Sequence, residues 1–205
     1  MGSNFLKSIT TLLLIFSTLS IATAFILDTD GEPLFNSRKY YILPQSLGFG
    51  GGLIRTTKTT DLPCPYYITV DNDDTSYGMP LIISSPFRIL YTPLSSPVYI
   101  AFEEMITVCI ESMGWRLNPD NSTGRSYVST GASGFDLTQR FTIEHAGSEF
   151  ENNVYKIRYI GASGEGRDVG FFDFNEDGLL GITDDIPLTV MFKKAIILEE
   201  TTSGM

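Results

Sequence analysis

The sequence holds few of the residues that most metal sites and catalytic centres require. It has one histidine, His145, one tryptophan, Trp115, and two cysteines, Cys64 and Cys109. A Ser-His-Asp triad would need His145, but no serine lies in a G-x-S-x-G pattern. Two cysteines and one histidine favour one disulfide over a metal site. Hydrolase and metal chemistry are therefore both disfavoured.

Positive charge and long apolar runs are also scarce. The chain has 14 Lys and Arg residues against 24 Asp and Glu residues, a formal net charge of −10. Such an acidic protein is poorly suited to nucleic acid or to anionic membranes, so we expect neither as a partner. Beyond the first 24 residues, no stretch approaches the length of a membrane span. The lack of repeated Q-x-W motifs also argues against a sugar-binding lectin.

The first 24 residues predict a secretory signal peptide. Lys7 precedes the apolar run Leu12–Phe16, and Ala22-Thr23-Ala24 supplies the small residues of a cleavage site. We expect cleavage after Ala24 and one domain over residues 25–205. The polar tail from about residue 197 is expected to be disordered.

Export would expose the chain to an oxidising compartment, where Cys64 and Cys109 would form a disulfide. That bond would close a loop of roughly 45 residues, worth about 4 kcal/mol in the chain-entropy model. Arg88 lies inside this loop, so a cut after it would leave the two pieces joined. Asn121-Ser122-Thr123 is an N-glycosylation sequon, which predicts a glycan on Asn121 in a surface loop.

Short runs of alternating apolar residues, separated by Gly, Pro, Asn and Asp, predict an all-β protein. Many short strands at this spacing are typical of a barrel or a sandwich. Residues 102–109 also fit a helical stripe, but the segment is brief and rich in β-branched residues, so we expect strand there. The clearest predicted strands are residues 40–43, 67–70, 98–102, 141–144, 155–159 and 188–192.

One segment near the end nearly matches a calcium-binding EF-hand loop. Its oxygen ligands would come from Asp173, Asn175, Asp177 and Asp184. An EF-hand needs a helix on both sides, whereas the flanking residues predict strands. A hairpin turn at Asp177-Gly178 is therefore the favoured interpretation, and a metal site is the weaker one.

The stretch Ser84–Leu90 places one basic residue among apolar neighbours. Pro86 fixes its own φ and pushes Ser85 towards extended geometry, so Arg88 should stand near the crest of a stiff extended loop. A trypsin-like protease binds such a loop. The same residues also fit an ordinary strand edge with a solvated arginine, with a strand-like run resuming at Ile89.

Several segments together resemble the plant Kunitz-type (soybean trypsin inhibitor-like) protease inhibitors over essentially the whole chain after residue 25. The resemblance implies a β-trefoil of twelve strands in three pseudo-repeats. It implies a monomeric inhibitor rather than an enzyme, with no cofactor and with a trypsin-like serine protease as partner. The matching segments are residues 26–34, 40–42, 49–52, 64–65, 82–89, 109, 155–157 and 168–170.

The resemblance also implies roles for individual residues. The residue matching Arg88 enters the primary specificity pocket of the protease, ahead of the scissile-type bond Arg88–Ile89. The residue matching Asn36 holds the loop backbone from inside. The usual second disulfide of the family is missing, and Ile160 and Gly166 occupy its positions. The implied reactive loop comprises Ser85, Pro86, Phe87, Arg88, Ile89 and Leu90.

Two other functions remain open at this point. The first is a trefoil of the same family that acts on another class of protease, such as a cysteine or carboxypeptidase-type enzyme. The second is a storage or defence protein without a protease target. In each case we expect export to the apoplast or to the vacuole.

Overall fold

The computed structural model describes residues 25–46, 50–58, 63–104, 107–135, 140–146, 153–172 and 178–195. The predicted signal peptide, the predicted disordered tail and three of the four calcium-loop residues lie outside these ranges. Within them the regular structure is entirely β, and no helix has the length and apolar character to cross a membrane.

Twelve strands follow one another along the described part of the chain, and each is four to eight residues long. They are β1 (Arg38–Pro44), β2 (Leu53–Thr56), β3 (Tyr67–Val70), β4 (Leu81–Ser84), β5 (Pro97–Phe102), β6 (Gly114–Asp120), β7 (Arg125–Ala132), β8 (Arg140–His145), β9 (Tyr155–Ile160), β10 (Gly166–Phe172), β11 (Leu179–Thr183) and β12 (Thr189–Lys194).

Six of the strands close into a barrel. β1 pairs with β4, β4 with β5, β5 with β8, β8 with β9, and β9 with β12, all antiparallel. The circle is completed where β12 pairs with β1 over five residues. A closed barrel leaves no strand edge unpaired, which removes a common route to aggregation.

The other six strands form three hairpins: β2–β3, β6–β7 and β10–β11. Their inner strands meet, since β7 pairs with both β3 and β11, and β11 also contacts β3. Each run of four consecutive strands therefore gives two strands to the barrel and two to a hairpin. This threefold arrangement is a β-trefoil, which confirms the predicted fold and strand number.

Strand alternation fills the barrel, because successive side chains point to opposite faces. Each barrel strand contributes at least two buried apolar side chains at alternating positions. Burying one such side chain stabilises the fold by about 1.5–3 kcal/mol. These residues are Tyr40, Ile42, Leu81, Ile83, Val98, Ile100, Phe102, Phe141, Ile143, Tyr155, Ile157, Val190 and Phe192.

The single tryptophan and the single histidine both pack on aromatic rings of the barrel. Trp115 is buried and meets the ring of Phe141 edge to face at 5.9 Å. His145 is exposed and stacks on Tyr155 with a ring separation of 5.1 Å. Both residues therefore have structural contacts.

Two strand expectations were wrong. β5 ends at Phe102, and no strand occurs among residues 107–113, where the chain runs to the disulfide. Ile89 and Leu90 are not in a strand either, and Tyr91 makes only an isolated bridge to Phe35. In the second case the carbonyl groups of Ile89 and Leu90 are bonded to Asn36 rather than to a neighbouring strand.

Candidate functional site

The connection from β4 to β5 carries the exposed loop of residues 85–90. β4 is anchored in the barrel by Leu81 and Ile83, both fully buried. Ser85 is still buried, and the next five residues are all exposed. The loop therefore projects from a fixed strand, and its side chains from residue 86 onward are available to a partner.

Asn36 contacts this loop at four points. Its side-chain Nδ2 donates to the carbonyl oxygens of Phe87 and Ile89, at 3.3 and 3.1 Å. Its Oδ1 accepts a hydrogen bond from the backbone N–H of Ser85 at 2.7 Å. Its own backbone N–H donates to the carbonyl oxygen of Leu90 at 2.9 Å. One residue thus ties both sides of the loop around Arg88.

The bonding pattern requires a carboxamide at position 36. An asparagine side chain carries two N–H donors and one carbonyl acceptor, and the loop offers it two carbonyl groups and one N–H group. Aspartate would supply no donor, and alanine would supply nothing.

Ser37 helps to deliver Asn36 to the loop. Its φ of 62° is left-handed, an uncommon conformation for a residue other than glycine. Its N–H donates to the carbonyl oxygen of Ile83 at 2.8 Å, and its hydroxyl lies 3.2 Å from that of Ser84. The turn is thereby fixed to β4, the strand that leads into the loop.

Arg88 stands at the crest as expected, but the loop makes a tight turn there and is not extended throughout. The N–H of Ile89 donates to the carbonyl oxygen of Phe87 at 2.9 Å, so the hydrogen bond spans Arg88 alone. Among the described residues, the guanidinium of Arg88 has no hydrogen bond or ion pair. A cation held out on a braced backbone can meet a carboxylate in a partner without first breaking an internal contact.

Tyr40 supports the turn from the core. Its hydroxyl accepts the backbone N–H of Phe35 at 2.9 Å, next to Asn36 in the chain. Burial raises the pKa of Tyr40 above its ordinary value of 10.0, and the bond from Phe35 partly offsets this. The hydroxyl therefore stays neutral over the physiological pH range, and the contact does not change with pH there.

Cys64 and Cys109 form the predicted disulfide, with their Cα atoms 5.5 Å apart. Residues 85–90 lie inside the loop that this bond closes. The two sides of the loop are also held by sheet pairing, since Ser84 at the end of β4 lies opposite Tyr99 in β5. A break in the backbone between Arg88 and Ile89 would therefore leave both ends attached to the same scaffold.

The remaining predicted site residues lie elsewhere. Asn121 is exposed in the turn of residues 121–124 that joins β6 to β7. Asp184 forms an ion pair with Arg167, with both carboxylate oxygens at 2.9–3.0 Å from guanidinium nitrogens. Asp173, Asn175 and Asp177 lie outside the described residues. Across the described ranges, no group of three or more His, Cys, Asp or Glu residues could hold a metal.

Ile160 and Gly166 face each other across the β9–β10 hairpin. The chain between them turns through a hydrogen bond from the N–H of Gly164 to the carbonyl oxygen of Gly161, at 2.9 Å. The hairpin is thus closed without a covalent bond at this point.

The sequence did not identify all the residues that surround the loop. Ser37 gave no signal, because a left-handed serine cannot be recognised from the chain alone. Phe25, Phe35 and Tyr91 form an aromatic group beside Leu90 that depends on tertiary contact.

Comparison with known proteins adds an independent line of argument. Residues 26–194 match the model of the legume Kunitz family, described as trypsin and protease inhibitors. The chain is 33% identical over 174 residues to a trypsin inhibitor from Bauhinia variegata, covering 83% of this chain and 95% of that protein. It is 32% identical over 178 residues to trypsin inhibitor B of Glycine max, covering 83% and 96%.

Solved structures show the same relationship. A Kunitz-type trypsin inhibitor from Cicer arietinum superimposes with a TM-score of 0.72 at 30% identity, covering 84% of this chain and 99% of that one. Soybean trypsin inhibitor in complex with porcine pancreatic trypsin gives a TM-score of 0.70 at 26% identity, with the same coverage. From the family match and these likenesses together, the chain belongs to the legume Kunitz family of trypsin and protease inhibitors.

Proposed function

We propose that this protein inhibits a trypsin-like serine protease by presenting residues 85–90 as a substrate-like loop, with Arg88 as the specificity residue. The observation that carries the proposal is the set of four contacts from Asn36 to the loop backbone on both sides of Arg88. The family membership and the solved trypsin complex of a relative support the same class of target.

Arginine suits a pocket with a carboxylate at its base. The guanidinium forms a charge-assisted, forked pair of hydrogen bonds with a carboxylate, and its apolar stem packs on the pocket walls. Arg88 is exposed and unpaired among the described residues, so it enters such a pocket at little internal cost. The braced backbone loses little conformational entropy on docking, which leaves more of the interaction as affinity.

The flanking side chains indicate the chemistry of the neighbouring subsites. Phe87 is 53% exposed and Leu90 is 63% exposed. Covering large exposed apolar side chains with a partner removes them from water, which stabilises the complex. The target protease should therefore offer apolar surface on both sides of its arginine pocket.

The same geometry accounts for inhibition rather than digestion. Attack by the protease serine on the Arg88 carbonyl forms an ester and releases Ile89 as a free amine. Because the fold holds that amine beside the ester, it attacks the ester, restores the peptide bond and frees the serine hydroxyl. Hydrolysis, which needs water to reach the ester first, is therefore slow.

A titration tests the proposal directly. We expect one molecule of residues 25–205 to inhibit one molecule of trypsin. Prolonged incubation should cut the inhibitor once, between Arg88 and Ile89. Mass spectrometry after reduction of the Cys64–Cys109 bond locates the cut. No inhibition by a folded, disulfide-bonded protein, or inhibition with a cut elsewhere, would contradict the assignment. Parallel titration of a cysteine protease and a carboxypeptidase tests the diverged-inhibitor alternative.

We also propose that the protein is exported and carries a glycan on Asn121. The signal-like residues 1–24, the disulfide and the exposed turn that holds Asn121 support this. Secretion of the full chain from plant cells should give a product about 1–2 kDa above its polypeptide mass, the size of one N-linked glycan. Peptide N-glycosidase should remove the excess.

Asn121→Gln and Thr123→Ala should each give the unmodified mass, whereas Thr123→Ser should keep the glycan because serine also completes the sequon. Secreted parent protein at its bare polypeptide mass would refute the modification at Asn121.

A further inference from the structure

Three aromatic rings meet directly behind the carboxyl side of the loop. The ring of Tyr91 lies 5.0 Å from that of Phe35 and 5.6 Å from that of Phe25, the latter edge to face. Tyr91 immediately follows Leu90. We call Phe25, Phe35 and Tyr91 the aromatic clasp.

The backbone of the aromatic clasp is also held by bridges and hydrogen bonds. Phe25 forms an isolated bridge to Pro93, and Phe35 forms one to Tyr91. Thr92, fully buried, donates its N–H to the carbonyl oxygen of Leu34 at 2.8 Å. The segment after the loop therefore lies between two earlier parts of the chain, one of which begins at residue 25.

Asn36 and the aromatic clasp act on different parts of the loop. The side chain of Asn36 bonds Ser85, Phe87 and Ile89, whereas the rings hold the chain from residue 91 onward. Opening of the Arg88–Ile89 bond would separate Ile89 from Arg88 but not from Tyr91. Two residues of extended chain span at most about 7 Å, so the new amine of Ile89 stays within about 7 Å of Tyr91 as long as Tyr91 is fixed.

We propose that the aromatic clasp positions the amine of Ile89 for religation, and that Phe25 and Phe35 are positioning residues of the inhibitory reaction. The proposal rests on the proposed function. In the religation step the Ile89 amine attacks the Arg88 ester, the peptide bond forms, and the serine leaves with the proton that the amine loses. The rings do not touch the reacting atoms and act only by limiting where Ile89 can move.

Two variants test the aromatic clasp, Phe25→Ala and Phe35→Ala. Each variant is first cut between Arg88 and Ile89 and is then incubated with trypsin. Re-formation of the Arg88–Ile89 bond is followed by electrophoresis under reducing conditions. We expect re-formation about tenfold slower than in the parent, equivalent to about 1.4 kcal/mol. Phe25→Tyr keeps an aromatic ring at this position and should re-form the bond at the parent rate.

Amide hydrogen exchange gives a second measure that needs no protease. Exchange at Ile89 and Thr92 should be about tenfold faster in the two alanine variants, while Ile42 in β1 keeps its parent rate. Tyr77→Ala is the matched control: the residue is 52% exposed, and its ring lies 5.6 Å from that of Tyr41, the separation seen between Phe25 and Tyr91. This control should leave both measurements unchanged.

The outcomes separate the two proposals. Religation and exchange within twofold of the parent in both variants would overturn the aromatic clasp. Faster exchange throughout the barrel, including Ile42, would also overturn it, because the rings would then act on general stability. A parent that neither inhibits trypsin nor is cut at Arg88 would refute the proposed function and with it the religation role, whereas slow religation with an inhibiting parent concerns the aromatic clasp alone.

Discussion

Replacement of Arg88 by alanine is expected to weaken trypsin binding at least about 100-fold, equivalent to about 2.8 kcal/mol. The substitution removes the only positive charge in residues 85–90, and with it the ion pair expected with a carboxylate in the specificity pocket. It changes no internal hydrogen bond, since the side chain of Arg88 is unpaired among the described residues. The fold should therefore be unaffected, and the loss should appear in the equilibrium inhibition constant alone.

Arg167→Ala is the matched control for this experiment. It removes the same charge from the chain, but from β10, where Arg167 forms an exposed ion pair with Asp184. Exposed ion pairs contribute little to stability, so inhibition and unfolding should both stay near the parent values. Arg88→Leu should shift preference towards chymotrypsin-like enzymes. A loss below tenfold for Arg88→Ala, or unchanged preference for Arg88→Leu, would show that another residue sets specificity.

Replacement of Asn36 by alanine is expected to turn the inhibitor into a slowly cleaved substrate. The change removes the three side-chain hydrogen bonds to Ser85, Phe87 and Ile89. At a net value of about 1 kcal/mol each, their loss should loosen the loop by about 1–3 kcal/mol. Cleavage after Arg88 should then be about ten- to a hundredfold faster, seen as inhibition that fades over hours while initial binding survives.

Asn36→Asp tests whether the donors matter. Aspartate keeps the shape and the acceptor for Ser85, but it presents a carboxylate to the carbonyl groups of Phe87 and Ile89. It should therefore fail in the same way as alanine. Stable inhibition by either variant for a full day, at parent stoichiometry, would remove Asn36 from the inhibitory mechanism.

The sequence predicted the barrel strands well because their alternation is strong. All six runs that the sequence marked most clearly are strands, and five of them belong to the barrel. The exposed arginine was also visible, since Pro86 restricts the chain before it. The barrel closure itself could not be derived from these patterns and entered only through the family resemblance, because pairing partners such as β1 and β12 are far apart in the chain.

The supporting contacts of the loop were less accessible. Asn36 was matched through the family resemblance alone, since nothing about an isolated asparagine indicates hydrogen bonds to residues about fifty positions later. Ser37 and the aromatic clasp escaped prediction because each depends on a turn or a packing contact. Strand was wrongly expected among residues 107–109, where the described chain has no strand and Cys109 is bonded to Cys64.

The bracing of the loop by Asn36 also bears on how such a protein can evolve. The residue that braces the backbone of residues 85–90 lies some fifty positions upstream, whereas the side chains proposed to meet a protease belong to the loop itself. Mutations at Phe87, Arg88 or Leu90 could therefore change the target protease while the backbone of the loop and the rest of the fold stay the same. Duplicated genes that differ only at those three codons would encode inhibitors of different proteases that share one fold.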